Sequence, residues 1–429
     1  MKVLVPIPFD LTNLAHGRNL RIVHLLREMA GSCRITCLTP GPTWAQAVQN
    51  ALPDVHVEAV NKELPAYYLP MPLGLNRAFS FLGYKPALLA DVCHRAADYD
   101  AVLGFDLPSV IYLLGAVRAK SSTGSPRVVG DLIDDPWLLH QSLPRRHRWS
   151  PAGWKTAWSI ARIRKLALPK LDALVAVSPL DARTLSAVSG RPVQVVPNGV
   201  RLPPTNSDTT EPLAVFTGAM DFPPNETAAV YLARQIWPLV MRQWQYASTH
   251  GKANGASSIR LAIVGANPTA RVRALANIPG VTVTGYVDDM TAWLARARVA
   301  VAPMLSGSGI KNKVLEACAA GCPVVATSLG AAALPISETH GLSVEDQPDR
   351  FAARVHTLLT DENAARTAGL AAKDMVAQRF SWPRMATCLT TILAGEDRPE
   401  PETMTACSAK QTFLSPTALC EEALTHAAS

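Results

Sequence analysis

Short apolar runs alternate along most of the chain with longer stretches in which apolar residues recur at helical spacing, the pattern of an α/β protein. In the first half "KVLVPI", "RITCLT", "YDAVLGF", "PRVVGDLID", "DALVAVS" and "VQVVPNGV" predict strands. "GRNLRIVHLLREMA", apolar at 20, 22, 23, 25, 26 and 29, predicts an amphipathic helix. The stretch "RLPPTNSDTTEPL" is dense in Pro, Thr, Asn and Asp and reads as a linker. After it the pattern restarts. "LAVFTG", "IRLAIVG", "VTVTGYV", "VAVAPM" and "PVVAT" predict strands, and "NETAAVYLARQIWPLVMRQW" a helix capped by Asn225. These halves predict two facing parallel-sheet domains, 1–198 and 213–395, joined by a linker at 199–212, with the last helix packing back on the first domain. Ligands of such sheets sit at the carboxyl ends of the strands, so the cleft between the halves is the expected site. Residues 396–429 are rich in Pro, Thr, Ser, Glu and Ala without periodicity and are expected to be a disordered tail.

A length of 429 residues fits two cores better than one, and 48% hydrophobic with 17% charged residues fits a soluble globular enzyme. No run approaches the roughly 20 apolar residues of a spanning helix. The start "MKVLVPIPFD" goes directly into a strand and meets prolines, which argues against a secretory leader. Eight cysteines contain no C-x-x-C pair and no partner set at zinc spacing, so no metal site is expected; reduced thiols agree with a cytoplasmic location. The net charge of +7 changes the picture through its distribution. From Pro136 to Leu171 there is no acidic residue, while Arg145, Arg146, Arg148, Lys155, Arg162, Arg164, Lys165 and Lys170 are interleaved with Trp137, Trp149, Trp154 and Trp158. The mixture suits anionic lipid headgroups at the inner membrane face or a phosphorylated acceptor; a solvated face with inward tryptophans suits it equally. No motif supports nucleic acid.

The densest chemistry lies in "SGSGIKNKVLEACAAGCPVVATS" (306–328), between the strand "RVAVAPML" and the strand "PVVAT". "KVLEACAA" predicts a short helix stopped at Gly321. A glycine-rich loop opening a helix is a phosphate cradle, because glycines admit a close backbone and the first helical N–H groups are unpaired. Gly307, Ser308 and Gly309 offer amides and Lys311 and Lys313 offer charge, although alternating lysines near a helix start also suit plain solvation. Asp131 and Asp134 in "VVGDLIDDPW" follow a buried strand. Each is a candidate to take a proton from an incoming hydroxyl, Asp134 being preferred; a turn and cap role is the alternative. No G-x-G-x-x-G follows a strand, and no G-x-x-x-x-G-K-[ST] exists, which sets aside dinucleotide dehydrogenases and P-loop ATPases.

This segment, with "VVPNGV" before the linker and "FTGAMDFPPNETAAVYL" after it, resembles the donor-binding signature of retaining glycosyltransferases of family 4. The likeness covers much of 170–330, while the first half matches through "GRNLR" and "DLIDD"; an exopolysaccharide-type subgroup is nearest. The resemblance implies the GT-B fold, two Rossmann-like domains facing a cleft. It implies transfer of a hexose from a UDP- or GDP-sugar to a hydroxyl acceptor, sugar or lipid-linked, with retention and without metal or other cofactor. It also implies that Glu316 accepts the ribose hydroxyls, that Gly17 and Gly218 line the donor phosphate, and that Arg18 adds charge. Two departures stand out. The family's first glutamate of E-x7-E is Ser308 here, and the loop "TGAMDFPPN" carries Asp221 in place of a basic pair. A nucleotide-sugar 2-epimerase of the same fold and a non-catalytic GT-B subunit are the alternatives.

Overall fold

A computed structural model of the chain describes residues 1–12, 17–60, 75–119, 125–142, 148, 150–203, 210–250, 258–334 and 340–396. Two compact units emerge: Met1–Gly199, to which the helix Trp382–Ala394 belongs, and Val200–Ser381.

The first unit is built on a parallel sheet of β1 (Lys2–Pro6), β2 (Arg34–Thr39), β3 (His56–Ala59), β4 (Ala101–Phe105), β5 (Arg127–Asp131), β6 (Ala173–Ala176) and β7 (Val193–Val195), in the order β3-β2-β1-β4-β5-β6-β7. Register pairs Val3 with Ile35 on one side and with Ala101 on the other. Successive side chains leave a strand on opposite faces. Val3 and Val5 therefore join the layer of Ile22, Leu25, Leu26, Leu389 and Ile392, whereas Leu4 joins Leu113, Leu174 and Leu185. Both faces being covered explains why these strands read as nearly continuous apolar runs. The predicted amphipathic helix is α1 (Gly17–Met29). His24 on α1 stacks on Trp382 at 4.9 Å. Gly199 is glycine for space, since a Cβ there would lie 2.6 Å from the Trp382 ring.

The second unit has β8 (Glu211–Thr217), β9 (Arg260–Val264), β10 (Val281–Val283), β11 (Ala297–Ala302), β12 (Val324–Ala326) and β13 (Leu342–Val344), all parallel, in the order β10-β9-β8-β11-β12-β13. Trp237, Phe216 and Phe351 are fully buried in its core. The helix assigned by sequence to an Asn225 cap starts earlier, at Pro223, with Phe222 at the cap position. Proline suits that first turn, where its missing N–H costs nothing. The helix then passes through a π-type turn, Leu232–Ile236, into Trp237–Thr249.

In each sheet the strand order reverses beside its first strand, between β1 and β4 and between β8 and β11. Connections leave such a switch point toward opposite faces, which opens a crevice at the strands' carboxyl ends. The loops after β8 and β11, and those after β1 and β4, are thereby placed to carry chemistry. Residues 397–429, on which the expected tail falls, lie outside the described residues.

Candidate active site

In the second unit two backbones approach closely at the carboxyl ends of the neighbouring strands β8 and β9. Gly218 and Gly265 each have φ near +150°, and a Cβ on Gly265 would fall within the Gly218 carbonyl oxygen. Only glycine fits there. The Gly218 N–H donates to the Val264 carbonyl at 3.1 Å, so this amide is used inside the fold. What Gly218 contributes instead is room: a Cβ would lie 2.7 Å from Asn225 Nδ2 and 3.1 Å from Lys313 Nζ.

The 306–311 loop turns through Gly307 (φ 114°) and Gly309 (φ 68°). It delivers the helix Asn312–Ala319, whose N-terminus has no side-chain cap. Anions favour such an end, where the peptide dipoles converge. The two lysines expected to share the donor's charge divide sharply. Lys311 is buried, and its ammonium donates to the Ser308 carbonyl at 2.6 Å and the Gly309 carbonyl at 3.1 Å. Through these two bonds it staples its own loop. Lys313 donates to Asn225 Oδ1 at 2.7 Å and stands 4.3 Å above the Phe216 ring. Burial, helped by the Lys311 charge, pushes the Lys313 ammonium down from the ordinary 10.5 to about 7, against the pull of Glu316. Glu316, one turn further on, is half-buried, and burial raises its carboxyl while Lys313 lowers it. Asn225 is thus no cap: it donates to the Ala219 carbonyl at 2.9 Å and aims the Lys313 ammonium. Ser308 stands in place of the family glutamate with its Oγ buried and unpartnered. Asp221, in the loop after β8, accepts a hydrogen bond from Asn267 at 3.1 Å.

In the first unit Gly17 opens α1, and Arg18 lies 3.2 Å from Asp106 and 4.3 Å over the Phe9 ring. Arg18 and Asp106 join the two loops that flank the β1/β4 switch point. One turn into α1, Arg21 is fully buried. It donates through Nε and Nη2 to Asp131 Oδ2 (2.9 and 2.7 Å) and through Nη1 to the Pro197 carbonyl and Asn198 Oδ1 (3.0 and 2.9 Å). Asp131 is equally enclosed, and its other oxygen accepts the Ile133 N–H at 3.1 Å. Burial raises its carboxyl and Arg21 draws it back. So placed, Asp131 locks α1 to β5 and, through Arg21, to the "PNG" turn. Ile133, with φ of 62°, reverses the chain after β5. Beyond it Asp134 is half-buried at the strand's carboxyl end, while Asp135 points inward to Arg164 at 2.7 Å. Arg164, expected on the solvated basic face, is buried by that pair. Arg145 and Arg146 lie outside the described residues.

Sequence reasoning missed Arg21, Asn198, Asp135 and Asn225 as working parts. Arg21 carried a signal, since it falls within the apolar stripe of α1 beside Ile22 and Leu25. Among the described residues no group of His, Cys, Asp and Glu is arranged to hold a metal ion.

Two all-parallel α/β units, each with a strand-order switch point, and the second with an uncapped helix N-terminus that carries Lys313, define the GT-B class of fold. Residues 17–202 match the family model described as Glycosyltransferase Family 4, and residues 211–361 that described as Glycosyl transferases group 1. The chain belongs to family 4 of the glycosyltransferases. It is 34% identical over 152 residues, 32% of this chain, to the GDP-mannose-dependent alpha-(1-6)-phosphatidylinositol monomannoside mannosyltransferase of Mycobacterium tuberculosis; the match spans 40% of that relative's length. Anabaena HepE, solved with UDP and glucose, shares the fold with a TM-score of 0.60 and 15% identity over 92% of this chain and 100% of that one. Sucrose-phosphate synthase from Thermosynechococcus elongatus does so with a TM-score of 0.64 and 16% identity over 91% of this chain and 98% of that one.

Proposed function

We propose that this protein transfers a hexose from a UDP- or GDP-sugar to the hydroxyl of a sugar or lipid-linked acceptor, with retention, in polysaccharide or glycolipid synthesis at the cytoplasmic face of a membrane. The observation that carries the reading is the Lys313 ammonium, aimed by Asn225 at the space above Gly218, one helical turn from Glu316. As the bond from the anomeric carbon to the phosphate oxygen breaks, negative charge grows on the diphosphate. Lys313 and the N–H groups of the 306–309 loop and helix tip offset it. Glu316 accepts the two ribose hydroxyls. The acceptor oxygen bonds to the anomeric carbon on the face the diphosphate leaves, and its proton passes to the departing phosphate oxygen, so no protein nucleophile is needed. Asp134, half-buried after β5, orients the acceptor. The reaction runs without a metal or other cofactor, since fixed protein charge meets the developing anion. The mycobacterial relative's GDP-mannose and the UDP of HepE make both nucleotides the first to test.

The test is incubation with UDP- and GDP-hexoses and saccharide or polyprenyl-diphosphate saccharide acceptors, following nucleotide release and the anomeric coupling of the product by NMR. Acceptor-dependent release with the donor's anomeric configuration preserved supports the proposal. Conversion of the donor to an epimer without acceptor would make the protein an epimerase. Failure to bind any nucleotide would leave the non-catalytic subunit.

A further inference from the structure

Two acid-free stretches of the sequence, 64–90 and 136–171, meet in the fold of the first unit. The helix Leu75–Phe81, from the first, packs on the helix Pro151–Leu166, from the second. The longer helix buries Ser159, Ile160, Ile163 and Arg164. Its other side carries Trp154, Lys155, Trp158, Arg162 and Lys165, a stripe at three- and four-residue spacing. Phe81 meets Trp158 edge-on at 6.1 Å. Cations ring the pair: Arg77 lies 5.6 Å and Lys155 5.7 Å from the Phe81 centroid, and Arg162 lies 5.7 Å from that of Trp158. Phe81 is 43% exposed and Trp154 58% exposed. Among the described residues none of Arg77, Lys155, Arg162 and Lys165 has a carboxylate partner.

We infer that this face, formed by the 75–81 and 151–166 helices together, seats the protein on an anionic lipid bilayer. A protein core would leave neither large rings in water nor four cations unneutralised on one side. A bilayer surface satisfies both: headgroup phosphates neutralise the bases, and aromatic rings settle at the boundary between headgroups and acyl chains. The inference deepens the proposed transfer by naming the surface on which a lipid-linked acceptor is met. Sequence alone placed such contact within 145–170; the partner helix carrying Arg77 and Phe81 enters only through the fold.

Flotation of the full chain with phosphatidylcholine vesicles, with and without phosphatidylglycerol, tests it. Binding is expected only to the anionic vesicles and is expected to weaken with salt. Each cation near the surface contributes about fivefold, so Lys155→Glu with Arg162→Glu and Lys165→Glu should reduce partitioning by about a hundredfold or more. Phe81→Ala with Trp154→Ala should weaken binding while leaving the salt dependence intact. Calorimetric donor affinity reports separately on the second unit, and circular dichroism with a thermal melt confirms folding of each variant. Donor binding without flotation of the native chain, or flotation unaffected by both sets of substitutions, overturns the surface assignment and leaves the transfer proposal standing. Flotation of the native chain with no donor binding overturns the transfer proposal alone.

Discussion

The sharpest consequence of the site is a pH dependence located in one side chain. Burial disfavours the charge of Lys313, Lys311 adds to the penalty, and together they push it down to about 7. A diphosphate beside it reverses that balance and draws its value back toward the ordinary 10.5. Donor binding then takes up a proton wherever the free protein has lost one. At pH 8 about nine-tenths of the free molecules lack the charge, so binding there should absorb about 0.9 proton, and affinity should fall roughly tenfold per pH unit between about 7 and 9. Lys313→Arg, charged throughout, should flatten that slope. Lys313→Met should cost about ten- to a hundredfold in affinity near pH 6.5, the worth of a charged hydrogen bond, and converge with the native protein as pH rises. Glu316 titrates from the other side: burial raises its carboxyl, so acid removes its acceptor charge and donor binding weakens there too. The folded protein follows the same linkage. Its Lys313 holds fewer protons than the unfolded chain between about 7 and 10.5, so this group makes stability rise with pH across that window. Titration calorimetry in buffers of differing ionisation enthalpy measures the uptake directly. Flat affinity from about pH 6.5 to about 8.5, with no proton absorbed, would show that Lys313 does not face the diphosphate.

Other expectations follow from the same geometry. Glu316→Ala should weaken nucleotide-sugar binding by about ten- to a hundredfold by calorimetry, the worth of a charged hydrogen bond; unchanged donor affinity would refute its role on the ribose. Gly265→Ala should destabilise by about 3 kcal/mol or more in urea, since its Cβ has no place beside the Gly218 carbonyl; loss below about 1 kcal/mol would mean that loop relaxes freely. Asp131→Ala strands the buried Arg21 and should cost about 3–5 kcal/mol. Adding Arg21→Met should return part of that loss, and a double-mutant cycle in urea separates this positioning role from a direct part in transfer.

The sequence made the central strands legible because both faces of each sheet are covered, leaving apolar runs such as those of β1, β8 and β11 with no competing pattern. The edge strands β3 and β13 escaped: "HVEA" and "LSV" are short and mixed, as strands with one open side can be. Asn225 before an apolar run has every local mark of a cap, and only Lys313, 88 residues away, shows what its side chain is for. The spacing of Lys311 and Lys313 located the charge but not which ammonium the loop consumes. Arg21 and Asp131 meet across 110 residues, a separation at which local chemistry carries no information. Arg164 misled for the same reason, as Asp135 that buries it stands 29 residues upstream.

The proposed transfer requires the tip of the 312–319 helix and the loop before it to hold a sugar nucleotide's diphosphate, with Glu316 on the ribose. A crystal structure of the full chain with UDP or GDP, chosen by whichever binds in calorimetry, tests this most directly. The diphosphate should lie within hydrogen-bonding distance of Lys313 Nζ and the 307–309 amides, with both ribose hydroxyls on the Glu316 carboxylate. A nucleotide seated elsewhere, with Lys313 still turned only to Asn225, would contradict it.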